Sequence, residues 1–241
     1  MLRSRPTHYT SRPAQWSTLL QALGLVKTLD EDGWWEFDAG SGRLAVGFVE
    51  HGHPLDGSTI FGVEVGNLAE FARRTEEDGT QADWTETQDG PTVRIAAEDG
   101  FEFFAFPATR AADDTWTTST EADPALAVVA SWISPFGGLA ANDLRNIGAR
   151  PRTEDDESAT FTTKNGGILR AIHGADSVNG DLSFEYDGGL EPLLHRLTEA
   201  KIEARISEDV LYVANPDAAG GSAPASIVVE RAPTPPTPET R

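Results

Sequence analysis

The feature that most constrains the fold of this chain is a long internal repeat. Two helix-like segments end in the same way, at Gly24 and at Gly148. Glycine directly after a periodic apolar run is a typical helix C-cap, because it adopts the left-handed backbone without a Cβ clash. Each stop is followed by a glycine turn and a short apolar strand, at residues 42–46 and 167–172. These paired segments predict two copies of one α+β unit.

The second half of each copy repeats as well. An alternating strand passes into a helix-spaced segment at residues 61–74 and again at 182–197. A switch from a period of two to a period of 3.6 lets a strand and the next helix share one buried face. A closing pair of strands follows, at residues 93–104 and 211–229. The order of elements is therefore the same in both copies.

The repeat sets the domain boundaries. Residues 1–110 form the first module, and residues 125–231 form the second. The Ala-, Asp- and Thr-rich residues 111–124 between them are a predicted linker. The C-terminal residues 232–241 are rich in proline, which excludes helix and central strand, and are predicted to be a disordered tail.

Composition excludes several classes of function. The chain of 241 residues has 39 acidic and 19 basic side chains, a formal net charge of -20. Nucleic acid is bound by clustered Lys and Arg, so an acidic chain is not expected to bind it. No stretch approaches the ~20 apolar residues of a membrane span, and the expected location is the cytoplasm. Because the chain has no cysteine, a metal would have to be held by His, Asp or Glu.

The repeated motifs resemble those of the vicinal-oxygen-chelate superfamily. The resemblance rests on Ala22–Leu25 closing the first helix, on Gly62–Val65 and Ser183–Tyr186 before the second helix of each copy, and on Glu98-Asp99-Gly100 before a last strand. It implies an α+β fold in which two tandem βαβββ modules pair and their mixed sheets curve around a cleft. Members of this superfamily include glyoxalases, extradiol dioxygenases, epimerases, fosfomycin-inactivating thiol transferases and bleomycin-sequestering proteins. The resemblance therefore implies a cleft but leaves the reaction open.

The resemblance also implies where metal ligands would lie: early on the first strand, at the start of the strand before the second helix, and on the last strand. In the first copy, Ile60 and Phe104 occupy the second and third positions, and His8 lies near the first. Neither Ile60 nor Phe104 can ligate a metal. On this alignment the first copy does not retain the metal-ligand set.

The second copy offers Ser131 or Trp132, Asp181 and Ile227 at the corresponding positions. Of these, only Asp181 has the chemistry of a typical ligand. A one-residue shift would turn Glu102 or Glu230 toward the cleft, because alternate strand residues face opposite sides of a sheet. We therefore expect a cleft without a cofactor, and a bound divalent metal is the alternative.

Further candidates come from histidines and aromatic residues. His51 and His53 form an H-x-H pair in a Gly- and Pro-containing loop, and His173 ends the strand at the corresponding point of the second copy. Phe103 and Phe104 are neighbours on one strand, so one of them is expected to line the cleft. The complete set of ligand-binding candidates is His8, Trp35, His51, Glu64, Phe104, Asp181, His173 and Glu185.

These observations lead to three alternatives for function. The first is a small-molecule-binding protein with a metal-free cleft that sequesters an amphipathic or cationic compound. The second is a metal-dependent glyoxalase-like lyase or isomerase, or a dioxygenase, and the third is a degenerate scaffold or interaction protein. Whether the chain is an enzyme stays open. Because both modules lie in one chain, a monomer is expected, with a homodimer as the alternative, and the expected partner is a small molecule rather than nucleic acid or membrane.

Overall fold

The structure is a computed structural model that describes residues 2–87, 90–108, 119–220 and 223–233. Residues 109–110 at the end of the predicted first module, residues 111–118 of the predicted linker and residues 234–241 of the predicted tail therefore lie outside the described residues. The elements of the first copy are β1 (Leu2–Ser4), β2 (Thr7–Thr10), α1 (Pro13–Leu23), β3 (Val26–Glu31), β4 (Trp34–Asp38), β5 (Arg43–Phe48), β6 (Thr59–Ile60), β7 (Gly62–Val65), α2 (Leu68–Glu77), β8 (Gln81–Thr87), β9 (Gly90–Ala96) and β10 (Glu102–Pro107).

The second copy repeats this order. Its elements are β11 (Leu126–Ser134), α3 (Gly137–Asn146), β12 (Arg150–Glu154), β13 (Ser158–Thr162), β14 (Ile168–His173), β15 (Val178–Asn179), β16 (Ser183–Tyr186), α4 (Glu191–Glu199), β17 (Ala204–Ser207), β18 (Val210–Ala214), a 3₁₀ turn (Ala218–Gly220) and β19 (Ser226–Arg231). Among the described residues, no helix is long and apolar enough to cross a membrane.

Each copy holds two βαβββ units. In every unit the last strand pairs in parallel with the first: β2 with β5, β7 with β10, β11 with β14, and β16 with β19. A parallel pair needs a long crossover, which the helix and the two intervening strands of each unit supply. The mixed α+β architecture predicted from the repeat is confirmed, with two βαβββ units in each copy where one βαβββ module was expected.

The two copies differ in how their units join. In the second copy, β11 pairs with both β14 and β16, so one nine-stranded sheet runs through both units. In the first copy the corresponding strand is divided into β1 and β2, and the sheet separates into two five-stranded sheets. Pro6 lies between β1 and β2, and because proline has no N–H it cannot continue a central ladder.

The two cores are shared between the copies. One core combines the β7–β10 unit with α3 and the β11–β14 strands, and its centre is Trp132, whose ring stacks on Phe101 at 4.7 Å. The other core combines the β2–β5 unit with the β16–β19 unit, where α1 contacts α4. The helix-bearing faces of the two copies therefore pack together, and the opposite face of each sheet is left to carry polar side chains.

Candidate ligand-binding site

The faces of the sheets turned away from the cores form two charged clefts. The first cleft is defined by Arg3, Arg5, Glu36, Arg43 and Glu64 on the strands of the first copy. The second cleft is defined by Arg152, Arg170, Glu185 and Glu230 on the strands of the second copy. Beside most of these residues, apolar neighbours alternate along the strands and face the cores, as Val63 and Val65 do beside Glu64 and Leu169 and Ala171 beside Arg170.

The first cleft is closed by buried ion pairs. Arg3 bonds Glu64, Arg5 Nη2 lies 2.6 Å from Glu36 Oε1, and Arg43 Nη1 lies 3.0 Å from Glu36 Oε2. All five side chains are less than 10% exposed. Burial alone would raise the pKa of Glu36, but Arg5 and Arg43 hold that pKa below its ordinary value.

Aromatic rings complete the closure of the first cleft. The Arg5 guanidinium lies 4.7 Å from the centre of the Phe106 ring and 5.6 Å from that of Trp34, within the range of cation–π attraction. The chain's own arginine is therefore held between two rings and a carboxylate, as a bound organic cation would be. These contacts occupy the charged side chains of the first cleft with one another and with the two rings.

The second cleft is open. Its four charged residues form one hydrogen-bonded chain: Arg152 Nη1 to Glu185 Oε2 at 2.6 Å, Arg170 Nη2 to Glu185 Oε1 at 3.1 Å, and the same Nη2 to Glu230 Oε2 at 2.6 Å. Two strands, β11 and β16, lie between Arg170 on β14 and Glu230 on β19. Their side chains meet because the sheet curves around the cleft.

Two adjoining cavities make this cleft a groove. One, of about 500 Å³, has a charged lining of Asp155, Arg170, Glu185, Asp209, Glu230 and Arg231. The other, of about 330 Å³, has more apolar walls that include Ile168, Ala127 and Pro124. Glu185 and Pro233 belong to both linings, so the two cavities share a wall. The volumes are in the range of small-molecule sites.

Glu64 and Glu185 lie in the clefts, at equivalent points of the two copies. Each is the third residue of the strand that precedes the second helix of its copy, β7 for Glu64 and β16 for Glu185. Phe104 also lies on the cleft side of its strand, next to Phe106, whereas Phe103 is fully buried in the core. One of the two neighbouring phenylalanines therefore faces the cleft, as the alternation of the strand predicts.

His8 lies elsewhere, in a buried polar cluster between the copies. Its Nε2 is 2.9 Å from Asp217 Oδ2, and its Nδ1 is 2.9 Å from Thr59 Oγ1. His8 and Asp181 line the same cavity, but its volume is only about 10 Å³, which is the space of one water molecule. The structure thus brings these two candidates near each other without making room for a ligand.

The remaining candidates are dispersed. Trp35 packs against the core and donates a hydrogen bond to Asp30 at 2.7 Å. His51 is 70% exposed in its loop and lies 3.2 Å from Asp56. His173 is exposed at the end of β14, beside the acidic loop of residues 154–157. None of these three contacts the charged chain of the second cleft.

The sequence analysis did not assign Arg152 or Arg170 to the cleft, and it turned Glu230 toward the cleft only with a one-residue shift. Ile227 is buried in the core, and Glu230 lies in the cleft as the direct partner of Glu185. In the first copy, Phe106 is paired with Glu64 in the same manner, so Phe106 is the counterpart of Glu230. The sequence does contain an indication for Arg170, because it is the one charged residue in the otherwise apolar residues 168–172.

Solved structures with this arrangement of elements are known. The dioxygenase LapB from Pseudomonas sp. KL28 aligns with 99% of this chain and 94% of its own at a TM-score of 0.60 and 11% identity. Homoprotocatechuate 2,3-dioxygenase from Arthrobacter globiformis aligns with 95% of this chain and 78% of its own at a TM-score of 0.61 and 14% identity. The chain has the vicinal-oxygen-chelate fold.

A Mn(II)-bound glyoxalase from Novosphingobium aromaticivorans shares the vicinal-oxygen-chelate fold as well, with a TM-score of 0.58 and 11% identity over 95% of this chain and 80% of its own. Identities this low establish the fold and leave the chemistry open. No protein-family model and no curated protein matches the sequence.

One of the proteins that share this fold is a Mn(II)-bound glyoxalase, and the residues of the second cleft do not fit a divalent metal. Its two neighbouring carboxylates, Glu185 and Glu230, are both bonded to Arg170, which carries the positive charge that a metal ion would bring. Among the described residues, no group of three or more His, Cys, Asp and Glu is placed to hold a metal ion. The donor set therefore differs from the His- and carboxylate-based sets that hold transition metals.

Proposed function

We propose that the chain binds a small molecule in the second cleft without a metal ion, and that the ligand is an amphipathic or cationic compound. The observation that carries the proposal is the contrast between the clefts. Buried ion pairs close the first, whereas the second contains a groove of ligand size. A groove with convergent polar groups and an apolar flank is the usual form of a small-molecule site.

The charges of the groove support a cationic ligand. Arg152 and Arg170 already neutralise Glu185, which is nearly buried. Glu230, which pairs with Arg170, is 38% exposed, and Asp209, which pairs with Arg231, is 74% exposed, so both keep carboxylate oxygens on the solvent side of the groove. The formal net charge of -20 adds a field that attracts cations and repels anions. The apolar cavity beside these carboxylates would receive the apolar part of an amphipathic ligand.

A thermal-shift screen of the metal-stripped chain tests the proposal. The probes are benzyltrimethylammonium, an amphipathic cation, and benzoate, an anion of comparable size. Binding to the folded chain raises its stability by RT ln(1 + [L]/Kd), so we expect the cation to raise the melting temperature in the presence of EDTA and benzoate to leave it unchanged. No shift with any amphipathic or cationic probe would contradict the proposal.

Glu230→Gln and Glu102→Gln form a matched pair for locating the site. Glu102 is also a half-exposed strand glutamate paired with an arginine, but it lies in the first copy. We expect Glu230→Gln to weaken binding of the cation by up to about fivefold, the effect of one exposed charge pair, and Glu102→Gln to leave it unchanged. Equal effects of the two substitutions would point to general electrostatic attraction rather than a site.

The second candidate function is a metal-dependent dioxygenase or a glyoxalase-like enzyme. It is favoured by the structural similarity to the dioxygenases and the Mn(II)-bound glyoxalase. Elemental mass spectrometry of the purified chain separates the two candidates, since the enzyme requires about one equivalent of a divalent metal. The cytoplasmic location and the monomeric state stay predictions from the sequence.

A further inference from the structure

The position of Arg170 between two carboxylates carries a conclusion beyond ligand binding. A single nitrogen of its guanidinium, Nη2, lies 2.6 Å from Glu230 and 3.1 Å from Glu185. Bridging two carboxylates from one point is what a bound cation does. We infer that Arg170 is the built-in cation of the second cleft, and that replacing it with a neutral residue converts the Glu185–Glu230 pair into a site for a divalent metal such as Mn²⁺.

The backbone places the two carboxylates for this role. Glu185 and Glu230 are direct Cα partners on the parallel strands β16 and β19, so their side chains leave the same face of the sheet side by side. Strands that are hydrogen-bonded neighbours are about 4.8 Å apart, a spacing from which two carboxylates reach one ion. Oxygen ligands suit Mg²⁺ and Mn²⁺, and water molecules complete the coordination of such ions.

The first copy shows the same principle with a different outcome. Phe106 replaces the second carboxylate opposite Glu64. Arg3 bonds Glu64, and Arg43 Nη1 lies 3.0 Å from Glu36 Oε2 and 3.8 Å from Glu64 Oε2. A neutral substitution in the first cleft would leave a single glutamate at the paired position. The gain of metal binding is proposed for the second cleft, where the two carboxylates are direct partners on neighbouring strands, and it does not depend on which small molecule the groove accepts.

The remaining contacts of the second cleft make the substitution feasible. Glu185 keeps its hydrogen bond to Arg152 when Arg170 is removed, so that nearly buried carboxylate retains one counter-charge. Glu230 is 38% exposed, so water can solvate its carboxylate once Arg170 has been removed. Arg170→Ala is therefore expected to fold, and Arg170→Gln, which keeps most of the side-chain length, is the second variant if it does not.

Mn²⁺ titration followed by the electron paramagnetic resonance signal of the free ion tests the inference directly. We expect Arg170→Ala, or Arg170→Gln, to bind one equivalent of Mn²⁺ at least about tenfold more tightly than the wild type, because the guanidinium that lies between the two carboxylates, in the place of the ion, has been removed with its charge. Arg152→Ala is the matched control. It removes the other arginine from Glu185 but leaves Arg170 in place, so it should bind no better than the wild type.

Adding Glu230→Gln to the Arg170 variant should abolish the gain. Two results would overturn the inference. The first is that the wild type binds one equivalent of Mn²⁺ and loses this binding with Glu230→Gln. The second is that folded Arg170 variants bind Mn²⁺ no better than Arg152→Ala does. Far-ultraviolet circular dichroism of each variant establishes that it is folded. Binding of benzyltrimethylammonium by the wild type is measured separately, so failure of the proposed function is distinguished from failure of this inference.

Discussion

The Nε2 atom of His8 lies 2.9 Å from Oδ2 of Asp217, across the boundary between the two copies of the repeat. Three further side chains donate to the same carboxylate: Thr10 at 2.8 Å, Trp16 at 2.6 Å and Arg12 at 3.3 Å. His8 and Asp217 are both 2% exposed. This cluster ties β2 and α1 of the N-terminal copy to the connection between β18 and β19 of the C-terminal copy.

Asp217→Ala should therefore destabilise the chain strongly. It leaves the buried donors of Thr10 and Trp16 without an acceptor, and we expect a loss of about 3 kcal/mol in the free energy of unfolding. Urea denaturation measures the loss. Asp209→Asn, at an exposed carboxylate of the same copy, is the control and should change the free energy by less than about 0.5 kcal/mol. A small effect of Asp217→Ala would show that the cluster does not hold the copies together.

The same cluster predicts how stability depends on pH. Burial, the largest influence, lowers the pKa of His8 below its ordinary value of 6.5, and the hydrogen bond and charge of Asp217 and the charge of Asp56 offset this only in part. The unfolded chain then binds a proton at a pH where the folded chain does not. The free energy of unfolding is accordingly highest above pH 6.5 and falls as the pH drops below it.

His8→Gln should reduce the slope of stability against pH in the range just below 6.5, as measured by urea denaturation at a series of pH values. His195→Gln is the control, because His195 is 73% exposed on α4. Burial would raise the pKa of Asp217, but hydrogen bonds from His8, Thr10 and Trp16 hold it below 3.8, so its own contribution is lost only in stronger acid. An unchanged slope in His8→Gln would contradict the assignment to His8.

Trp132 and Trp84 offer a matched test of the shared core. Trp132 is fully buried, with Phe61 and Phe101 around its ring, whereas Trp84 is 58% exposed on β8. Trp132→Ala should cost about 3–5 kcal/mol of unfolding free energy, and Trp84→Ala should change it by about 0.5 kcal/mol or less. Comparable losses from the two substitutions, measured in urea, would contradict the placement of the core.

Alanine substitutions at Gly167 and Gly100 distinguish two contributions to the loss of stability: backbone strain at positive φ, and a clash of the added Cβ with a neighbouring atom. Both have positive φ, +88° and +85°. A Cβ at Gly167 would lie 2.4 Å from Ser4 Cβ in the other copy, whereas a Cβ at Gly100 would meet nothing within 4 Å. Gly100→Ala should cost about 1–2 kcal/mol and Gly167→Ala about 1–3 kcal/mol more. Thermal unfolding of both variants checks the difference.

The sequence predicts the fold well because the repeat specifies it locally. The glycine stops after α1 and α3 and the strand-to-helix transitions at β7 and β16 follow from periodicity alone. The division of the first sheet at Pro6 depends on a single residue without an N–H group. The packing of helices from the two copies against each other depends on tertiary contacts, and local sequence patterns do not predict those contacts.

The candidate site is predicted less completely. Glu64 and Glu185 follow from strand alternation, since both occupy the same place before a helix. Arg152 and Arg170 could not be assigned to the cleft, because their bonds to Glu185 join distant segments of the chain. Glu230 required the register between β16 and β19, which the pairing of the strands determines and which a gap of 44 residues between Glu185 and Glu230 obscures in the sequence.

The most direct test of the central claim is a two-dimensional NMR titration of the metal-stripped chain with benzyltrimethylammonium. The account predicts saturable shifts at amides of β13, β14, β16 and β19 around the second cleft, with no change at Glu36, Arg43 and Glu64 in the first. The same shifts should occur with EDTA present. Shifts that require an added divalent metal, or that map to the first cleft, would contradict a metal-free ligand site in the second.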